Sequence, residues 1–358
     1  MTSTWNPSPF FTGDYDDPSN WSPAVPGAGD TAEFAASNVT NISIVDDRQV
    51  TQWLFNAGAT QYNFDISAHA SLAFSDSGIT IISGSVHIFD FGNLGFDNST
   101  AGAALIDDFG LLQFSLLSTA GTATIRTFGE GFASGPSHGS AVINFFDHST
   151  GGSAQFITDA TGVVDFSGTT GPDGLGHVTA GSIAGTGTYD LGSDQLTVGL
   201  NGLSTEVSGP IQDGGPIGGG TGASLVKVGP GALRLSHPGN TYSGGTILEA
   251  GKLDVAAPGA AGTGAITFAG RATLEIENAA LPGHHFGNAI DAFARHDIID
   301  LAQLKFHAGA TATYHKANHH LTVHSGTVTD TLTLISPHGT HFIVASDGHG
   351  GSDVLLHA

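Results

Sequence analysis

Histidine is the residue of this chain best suited to metal or proton chemistry, and most of it lies toward the C-terminal end. Twelve of the 18 histidines follow residue 283. The alternating segment 315–324 predicts a strand with His320 and His324 on one face and His319 on the other. Residues four apart in a strand are roughly 13 Å apart, so these two imidazoles need ligands from a neighbouring strand, for which 337–342 is the candidate. We predict a divalent-metal site among His315, His320, His324, His338 and His341.

Two other interpretations of these histidines stay open. They can be surface residues that contribute polarity alone. They can also form a pH-sensitive surface, because free imidazoles gain a positive charge below about pH 6.5 and would offset part of an acidic surface. In that case self-association or attachment should change between about pH 5 and 7.5.

A partial calcium motif lies close to the end of the sequence. Residues 348–353 read Gly-His-Gly-Gly-Ser-Asp, which resembles the Gly-Gly-x-Gly-x-Asp calcium nonapeptide. That motif binds calcium through stacked copies, and here it occurs once. The candidate calcium ligands are Asp347 and Asp353.

Catalytic arrangements are not evident in the sequence. Acidic pairs such as Asp107 and Asp108 are neighbours, and neighbours in a strand point to opposite faces. The nine basic residues are widely spaced, and there is no Gly-x-Ser-x-Gly, phosphate-binding loop or His-Glu-x-x-His segment. We therefore expect no catalytic or cofactor-binding residue and no enzyme. The alternative is a carbohydrate-active β-helix enzyme or a glycan-binding module, and a sheet face lined by carboxylates and a basic residue would favour the enzyme.

The composition predicts an all-β protein. Glycine accounts for 53 of 358 residues, 39% of residues are hydrophobic and 11% are charged, with no long helix-forming run. The segment 229–255 shows the alternation of short half-buried strands separated by Gly, Asn, Ser and Pro. Segments starting at Phe96 and Phe146 share a Phe-Asp-x-Ser-Thr-x-Gly opening, and a partial third copy covers 118–125. Repeats of about 20 residues are typical of stacked coils.

The segment 229–255 also resembles a known family. Asn240, Thr241, Tyr242, Gly244, Gly245 and Thr246 match the Asn-Thr-Tyr-x-Gly-Gly-Thr core of the bacterial autotransporter-associated β-strand repeat. The resemblance implies a right-handed parallel β-helix, or β-solenoid, on the outside of a bacterial cell. The chain has no counterpart of that family's C-terminal translocator, so the resemblance is to the passenger part.

A single elongated domain with three parts is expected. Residues 1–34 form an N-terminal cap rich in aromatic side chains, and residues 35–278 form the solenoid coils, with a glycine-rich surface loop near 209–223. Residues 279–358 form a histidine-rich C-terminal β module. The aromatic residues assigned to the cap are Trp5, Phe10, Phe11, Tyr15 and Trp21.

Charge and targeting signals limit the partners and the location. The net charge of −23 argues against nucleic acid and anionic membranes as partners, and no apolar run is long enough for a membrane helix. The sequence lacks cysteine and an evident N-terminal signal peptide, and its acidic-apolar tail resembles type I export signals. We expect a secreted or cell-surface structural protein. It is either an adhesin that binds a cell-surface or matrix glycan or protein, or a subunit that self-associates into a fibre or surface layer of a biofilm.

Overall fold

The computed structural model of the protein describes residues 1–7, 13–129 and 141–357. It is all-β, with 50% strand and 3% helix, and forms a parallel β-solenoid of about 12 turns, which confirms the predicted fold class. Phe10 and Phe11, two of the aromatic residues assigned to the cap, lie outside the described residues. No helix among the described residues combines the length and the apolar character needed to cross a membrane.

The strands are short, and most alternate buried with partly exposed side chains. The first sixteen are β1 Thr2–Trp5, β2 Trp21–Ser22, β3 Thr31–Phe34, β4 Asn41–Ile44, β5 Arg48–Phe55, β6 Gln61–Ile66, β7 Ser71–Ile81, β8 Ser85–Asp90, β9 Asn93–Asp97, β10 Leu105–Asp108, β11 Leu111–Ser115, β12 Thr124–Thr127, β13 Val142–Asp147, β14 Gln155–Thr158, β15 Val163–Thr169 and β16 His177–Ala180.

The second half of the chain continues this pattern and ends in longer strands. Its strands are β17 Ser182–Gly185, β18 Thr188–Asp190, β19 Gln195–Val198, β20 Thr205–Val207, β21 Ile211–Gln212, β22 Ser224–Lys227, β23 Ala232–Leu235, β24 Gly245–Leu248, β25 Gly251–Val255, β26 Ile266–Phe268, β27 Ala272–Ile276, β28 His285–Asp291, β29 Ile298–Leu301, β30 Thr311–His315, β31 His320–Ser325, β32 Val328–Ile335, β33 Phe342–Ser346 and β34 Ser352–Leu356. Short 3₁₀ turns occur at Pro18–Asn20, Asn278–Ala280 and Pro282–His284.

The chain divides into two compact units, a division that the sequence did not suggest. Unit 1 contains residues 1–181, 186–190 and 215–218, and unit 2 contains residues 182–185, 191–214 and 219–358.

Unit 1 consists of coils that each add one strand to two sheets. The first sheet has the order β2-β1-β3-β5-β7-β9-β11-β13-β15-β18, and the second has the order β4-β6-β8-β10-β12-β14. All pairs are parallel except β1 with β2. Because successive strands align in register, side chains that follow one another at the coil period form rows across a sheet.

Rows of identical side chains explain the repeats seen in the sequence. Phe74, Phe96, Phe114, Phe145 and Phe166 form one inward row whose ring centroids are 5.0, 5.1, 4.9 and 4.6 Å apart. The Ser-Thr dipeptides of the three copies also stack, because Thr100, Thr119 and Thr150 form successive parallel bridges. The three Ser-Thr segments therefore occupy the same position in three coils.

Unit 2 contains the same kind of coil and ends differently. Its sheets have the orders β17-β20-β23-β25-β27-β29-β34-β33 and β19-β22-β24-β26-β28-β32-β31-β30. Parallel pairing extends to β29, so the solenoid continues beyond residue 278, where the sequence suggested that it ends. The pairs of β29 with β34, of β34 with β33, and of β32 with β31 and β30 with β31 are antiparallel.

Candidate functional site

The strand predicted around the C-terminal histidines is present as β31. His320 and His324 share its outward face, and Leu321 and Val323 between them are buried. The strands beside it are β30 and β32, so the expectation that 337–342 flanks it is wrong. Short turns join β31 to β30 and to β32, so these two sequence neighbours occupy both of its edges and leave no edge for a more distant segment.

Three of the five predicted metal ligands lie in the antiparallel strands β30 and β31. His315 and His320 are cross-strand partners, and the ring of His320 lies 6.1 Å from that of His285 on β28. His324 is exposed and hydrogen-bonds through Nδ1 to the Thr329 hydroxyl at 2.9 Å.

The other two predicted ligands lie outside β31 and its two neighbouring strands. The backbone N–H of His338 donates to the Phe293 carbonyl at 2.9 Å, and the His341 carbonyl accepts from the N–H of His357 at 2.8 Å. In the part of the chain that the structure describes, the side chains close enough to hold one ion together are Asp254, Glu275 and Glu277. The histidine metal site stays a prediction.

Asp347, a predicted calcium ligand, organises the turn between β33 and β34. Its Oδ1 accepts the backbone N–H groups of His349, Gly350 and Gly351 at 2.7, 2.9 and 2.9 Å. Burial opposes the charge, but the three donors together hold the pKa of Asp347 below its usual value. This carboxylate therefore has a structural role without a cation.

The second predicted calcium ligand meets an acidic residue that sequence reasoning did not single out. Asp353 is the cross-strand partner of Asp300. Burial, followed by the negative charges of Asp353, Glu275 and Asp347, raises the pKa of Asp300 to about 7, and its Oδ1 is buried without a hydrogen-bond partner among the described residues. Burial and the charge of Asp347 also raise the pKa of Asp353.

We expect Asp300→Asn to raise the melting temperature at pH 8 and to have a smaller effect at pH 5. At pH 8 the wild-type carboxylate is ionised against its acidic neighbours, whereas the amide is neutral. Thermal unfolding at both pH values measures the difference, and Asp46→Asn, at a side chain that is 71% exposed, is the control. A lower melting temperature for Asp300→Asn at pH 8 would contradict the expectation.

The same measurement tests the calcium prediction. If Asp347 and Asp353 bind calcium together with Asp300, millimolar calcium chloride raises the melting temperature of the wild type and not that of Asp300→Asn. Equal responses of the two proteins, or no response, would show that these carboxylates do not hold calcium.

A row of charged side chains crosses the outward face of one unit 2 sheet. Glu206, Arg234, Asp254, Glu275 and Asp300 are register partners on β20, β23, β25, β27 and β29. Successive members lie 20 to 28 residues apart in the sequence, so they do not form a recognisable motif. Aligning the sequence at the coil period is the step that could have predicted this row.

Arg234, the cation of this row, is paired with its acidic neighbours. The guanidinium of Arg234 donates to Asp254 Oδ2 at 2.5 Å and also to Glu277, and its Nε lies 3.4 Å from Glu206. The hydrogen bond that Arg234 donates to Glu277 outweighs burial and raises the pKa of Arg234. Asp254, Glu275 and Glu277 are the three side chains close enough to share an ion. The guanidinium already bridges Asp254 and Glu277, so it supplies the positive charge that a metal ion would bring.

Lys252, the second cation on this face, is paired as well. Its Nζ lies 2.5 Å from Glu275 Oε2, and this hydrogen bond raises the lysine's pKa. Arginine or lysine acts as a general base only if its side chain is neutral near neutral pH. The acids paired with Arg234 and with Lys252 favour the charged form of each and so oppose this role.

The residues that carry the family resemblance connect neighbouring coils of unit 2. The side chain of Asn240 is buried; its Oδ1 accepts the N–H of Ile211 at 2.9 Å and its Nδ2 donates to the Ala260 carbonyl at 2.7 Å. The buried Tyr242 hydroxyl bonds the Thr246 hydroxyl at 2.7 Å. The Asn-Thr-Tyr segment is therefore a structural element of the coil corner.

A buried lysine stabilises a different corner of these coils, where β22 leads into β23 and β24 leads into β25. Lys227 is 1% exposed, and its Nζ donates to the carbonyls of Val228, Gly229 and Ala250 at 2.7, 3.0 and 3.2 Å. Burial lowers its pKa to about 8. Gly251 sits against this group at a φ of 73°, and a Cβ there would lie 2.3 Å from the Gly229 carbonyl oxygen.

Comparison with known families gives a match in this part of unit 2. The model of the passenger-associated-transport-repeat family matches residues 225–255, from within β22 to the end of β25. No curated protein and no solved structure matches the chain. The match and the parallel solenoid together fit an autotransporter passenger-like repeat protein. The family also suggests a secreted or cell-surface protein.

Proposed function

We propose that the protein is an extracellular adhesin that works as a single molecule and without catalysis. The supporting observation is that β1, at the N-terminal end, and β29 and β32, in unit 2, are each paired with an antiparallel strand. A solenoid extends into a fibre when another copy continues its parallel strands, and strands that already cover the terminal coil oppose this.

The covering at the N-terminal end consists of aromatic residues and an antiparallel strand. β2 pairs antiparallel with β1, and the Trp5 and Trp21 rings pack edge to face at 5.1 Å. The Trp21 indole N–H donates to the Tyr15 carbonyl at 2.7 Å, and the Tyr15 side chain is fully buried. These contacts hold β2 over β1 and block another parallel strand there.

In unit 2, strand pairing changes from parallel to antiparallel near the end of both sheets. β34 lies antiparallel on β29, the last parallel strand of its sheet, and β31 lies antiparallel on β32. An added coil would have to displace both arrangements at once. The net charge of −23 also makes two copies repel each other.

Light scattering and negative-stain microscopy test the single-molecule form. At micromolar concentration we expect discrete particles with the 36.2 kDa mass of one chain. Trp21→Ala should increase association, because it loosens the strand that covers β1. Ordered filaments of the wild type would overturn the proposal in favour of a fibre subunit.

Attachment assays test the adhesive role. The labelled protein should bind to surfaces coated with cells or extracellular matrix, and it should not bind nucleic acid or anionic vesicles, which its negative charge repels. Absence of attachment to every coated surface would contradict an adhesin.

A carbohydrate-cleaving enzyme is the second candidate, and the charged row of unit 2 favours it. Asp254 and Glu275 are carboxylates on adjacent strands, and burial raises the pKa of Asp254, as a general acid requires. The engagement of Arg234 and Lys252 by these acids argues against it. Release of reducing ends from polysaccharides by the wild type, lost in Glu275→Gln, would establish the enzyme instead.

A further inference from the structure

We propose that a groove on the outward face of the first unit 1 sheet binds a neutral saccharide. The proposal rests on the adhesive function above and adds to it a site and a class of ligand. The groove has a volume of about 200 Å³ and lies across β7, β9 and β11. Pockets for drug-sized ligands measure roughly 300 to 1,000 Å³, so this one suits a single ring of a longer chain.

The floor of the groove is low because two register partners are small. Ala73 on β7 and Gly95 on β9 lie side by side in one row of the sheet, and the next position in that row is Gln113 on β11. A Cβ built on Gly95 would meet only the Ala73 Cβ, at 4.0 Å. A side chain at this position would therefore occupy the groove without displacing the fold.

Phe146 forms one wall of the groove because β13 alternates regularly, with Ile143 and Phe145 inward and Asn144 and Phe146 outward. The register shift beside it places the extra residue in β15, between Asp165 and Gly168. Phe145 stays in the inward phenylalanine row, while the partly exposed ring of Phe146 lines the groove. An aromatic ring at the side of a polar groove offers a flat apolar surface for the C–H face of a sugar ring.

The polar groups of the groove match hydroxyl groups. Asn93 and Gln113 each offer an acceptor oxygen and a donor NH₂, and Ser115 donates its hydroxyl to the Asp97 carboxylate. Groups that both donate and accept complement sugar hydroxyls, which do the same. Among the residues that the structure describes, no cationic side chain lines the groove, and Asp97 carries a negative charge, so a neutral saccharide fits better than an anionic one.

An unsatisfied amide lies next to this row. Asn144 is the register partner of Gln113, its side chain is 8% exposed, and its Oδ1 has no hydrogen-bond partner among the described residues. Asn144 does not itself line the groove, and the site rests on the residues named above.

Calorimetric titration of the full chain with tetrasaccharides of glucose, mannose or N-acetylglucosamine tests the site. We expect at least one to bind at millimolar concentration or below, and tetragalacturonate not to bind. Gly95→Phe should abolish binding because the ring fills the groove. Gln113→Ala should weaken it about fivefold, as expected for the loss of one hydrogen bond. Gly287→Phe is the matched control, since Gly287 is also a strand glycine, lies on an exposed position, and a Cβ added there would have no atom within 4 Å.

The outcomes separate this inference from the adhesive function. If no neutral tetrasaccharide binds, or if Gly95→Phe binds as tightly as the wild type, the groove is not the site. If the Gly95→Phe protein still attaches to cells or matrix as the wild type does, adhesion stands and acts through another surface. If the wild type attaches to nothing, the adhesive function is wrong as well.

Discussion

We expect Asp108→Asn to be more stable than the wild type at pH 8. Asp90 and Asp108 are register partners on adjacent coils, both fully buried, and the Oδ2 atom of each has no hydrogen-bond partner among the described residues. Burial raises the pKa of Asp90 to about 7, and burial together with the charge of Asp90 raises that of Asp108 well above its usual value. An asparagine at 108 removes one charge and can donate to the remaining carboxylate.

The same pair makes the wild type more stable in acid. A carboxyl whose pKa is higher in the folded protein than in the unfolded chain favours folding at low pH, and this contribution is lost as the pH rises from about 4 through 7. For Asp90, burial therefore makes the free energy of unfolding decrease as the pH rises through about 7. Denaturant unfolding between pH 4 and 8 should show this decrease, and it should be smaller in Asp108→Asn.

Asp107→Asn is the matched control for this prediction. Asp107 precedes Asp108 but points outward, where it bonds the Arg126 guanidinium at 2.5 and 2.7 Å and His87 at 2.9 Å. Its replacement removes the ion pair with Arg126 and should lower stability at pH 8. Equal effects of the two substitutions, or a wild type whose stability rises from pH 4 to 8, would refute the role of the buried pair.

We expect Lys227→Met to lower the free energy of unfolding by roughly 3 kcal/mol, because three carbonyls around the buried ammonium group lose a donor at once. Methionine keeps the length and apolar character of the side chain, so the loss reports the ammonium group and not a cavity. Denaturant unfolding at pH 7, where the group is mainly charged at a pKa of about 8, measures it.

Lys252→Met tests whether burial is the cause. Lys252 makes one ion pair, with Glu275, and its side chain is 41% exposed, so its replacement should cost less than about 1 kcal/mol. If both substitutions cost the same, the carbonyl contacts of Lys227 do not stabilise the corner.

Much of the fold could be predicted because it depends on local patterns. Alternation and turn residues in 229–255 predicted strands at β23, β24 and β25, and all three are present. The opposite orientation of Asp107 and Asp108 followed from strand geometry in the same way. Repeated Ser-Thr and Phe positions indicated stacked coils, which the Thr100 and Thr119 bridge confirms.

The candidate sites were harder to predict because they depend on which residues the coils align. The spacing of Arg234, Asp254 and Glu275 suggests no site until the register of β23, β25 and β27 is known. The groove depends further on the small Gly95 and on the register of β13 with β11, which brings the outward Phe146 beside it. A shift of one residue in any strand would send these side chains to the other face.

The sequence alone determined the all-β coil, its repeat and its acidic surface, because alternation, turn residues and charge act locally or through composition. The tertiary structure decided which acids are buried beside each other, which cations are neutralised, and where the outward face becomes concave. These properties arise from the alignment of residues some 20 positions apart, and small changes in coil length alter that alignment.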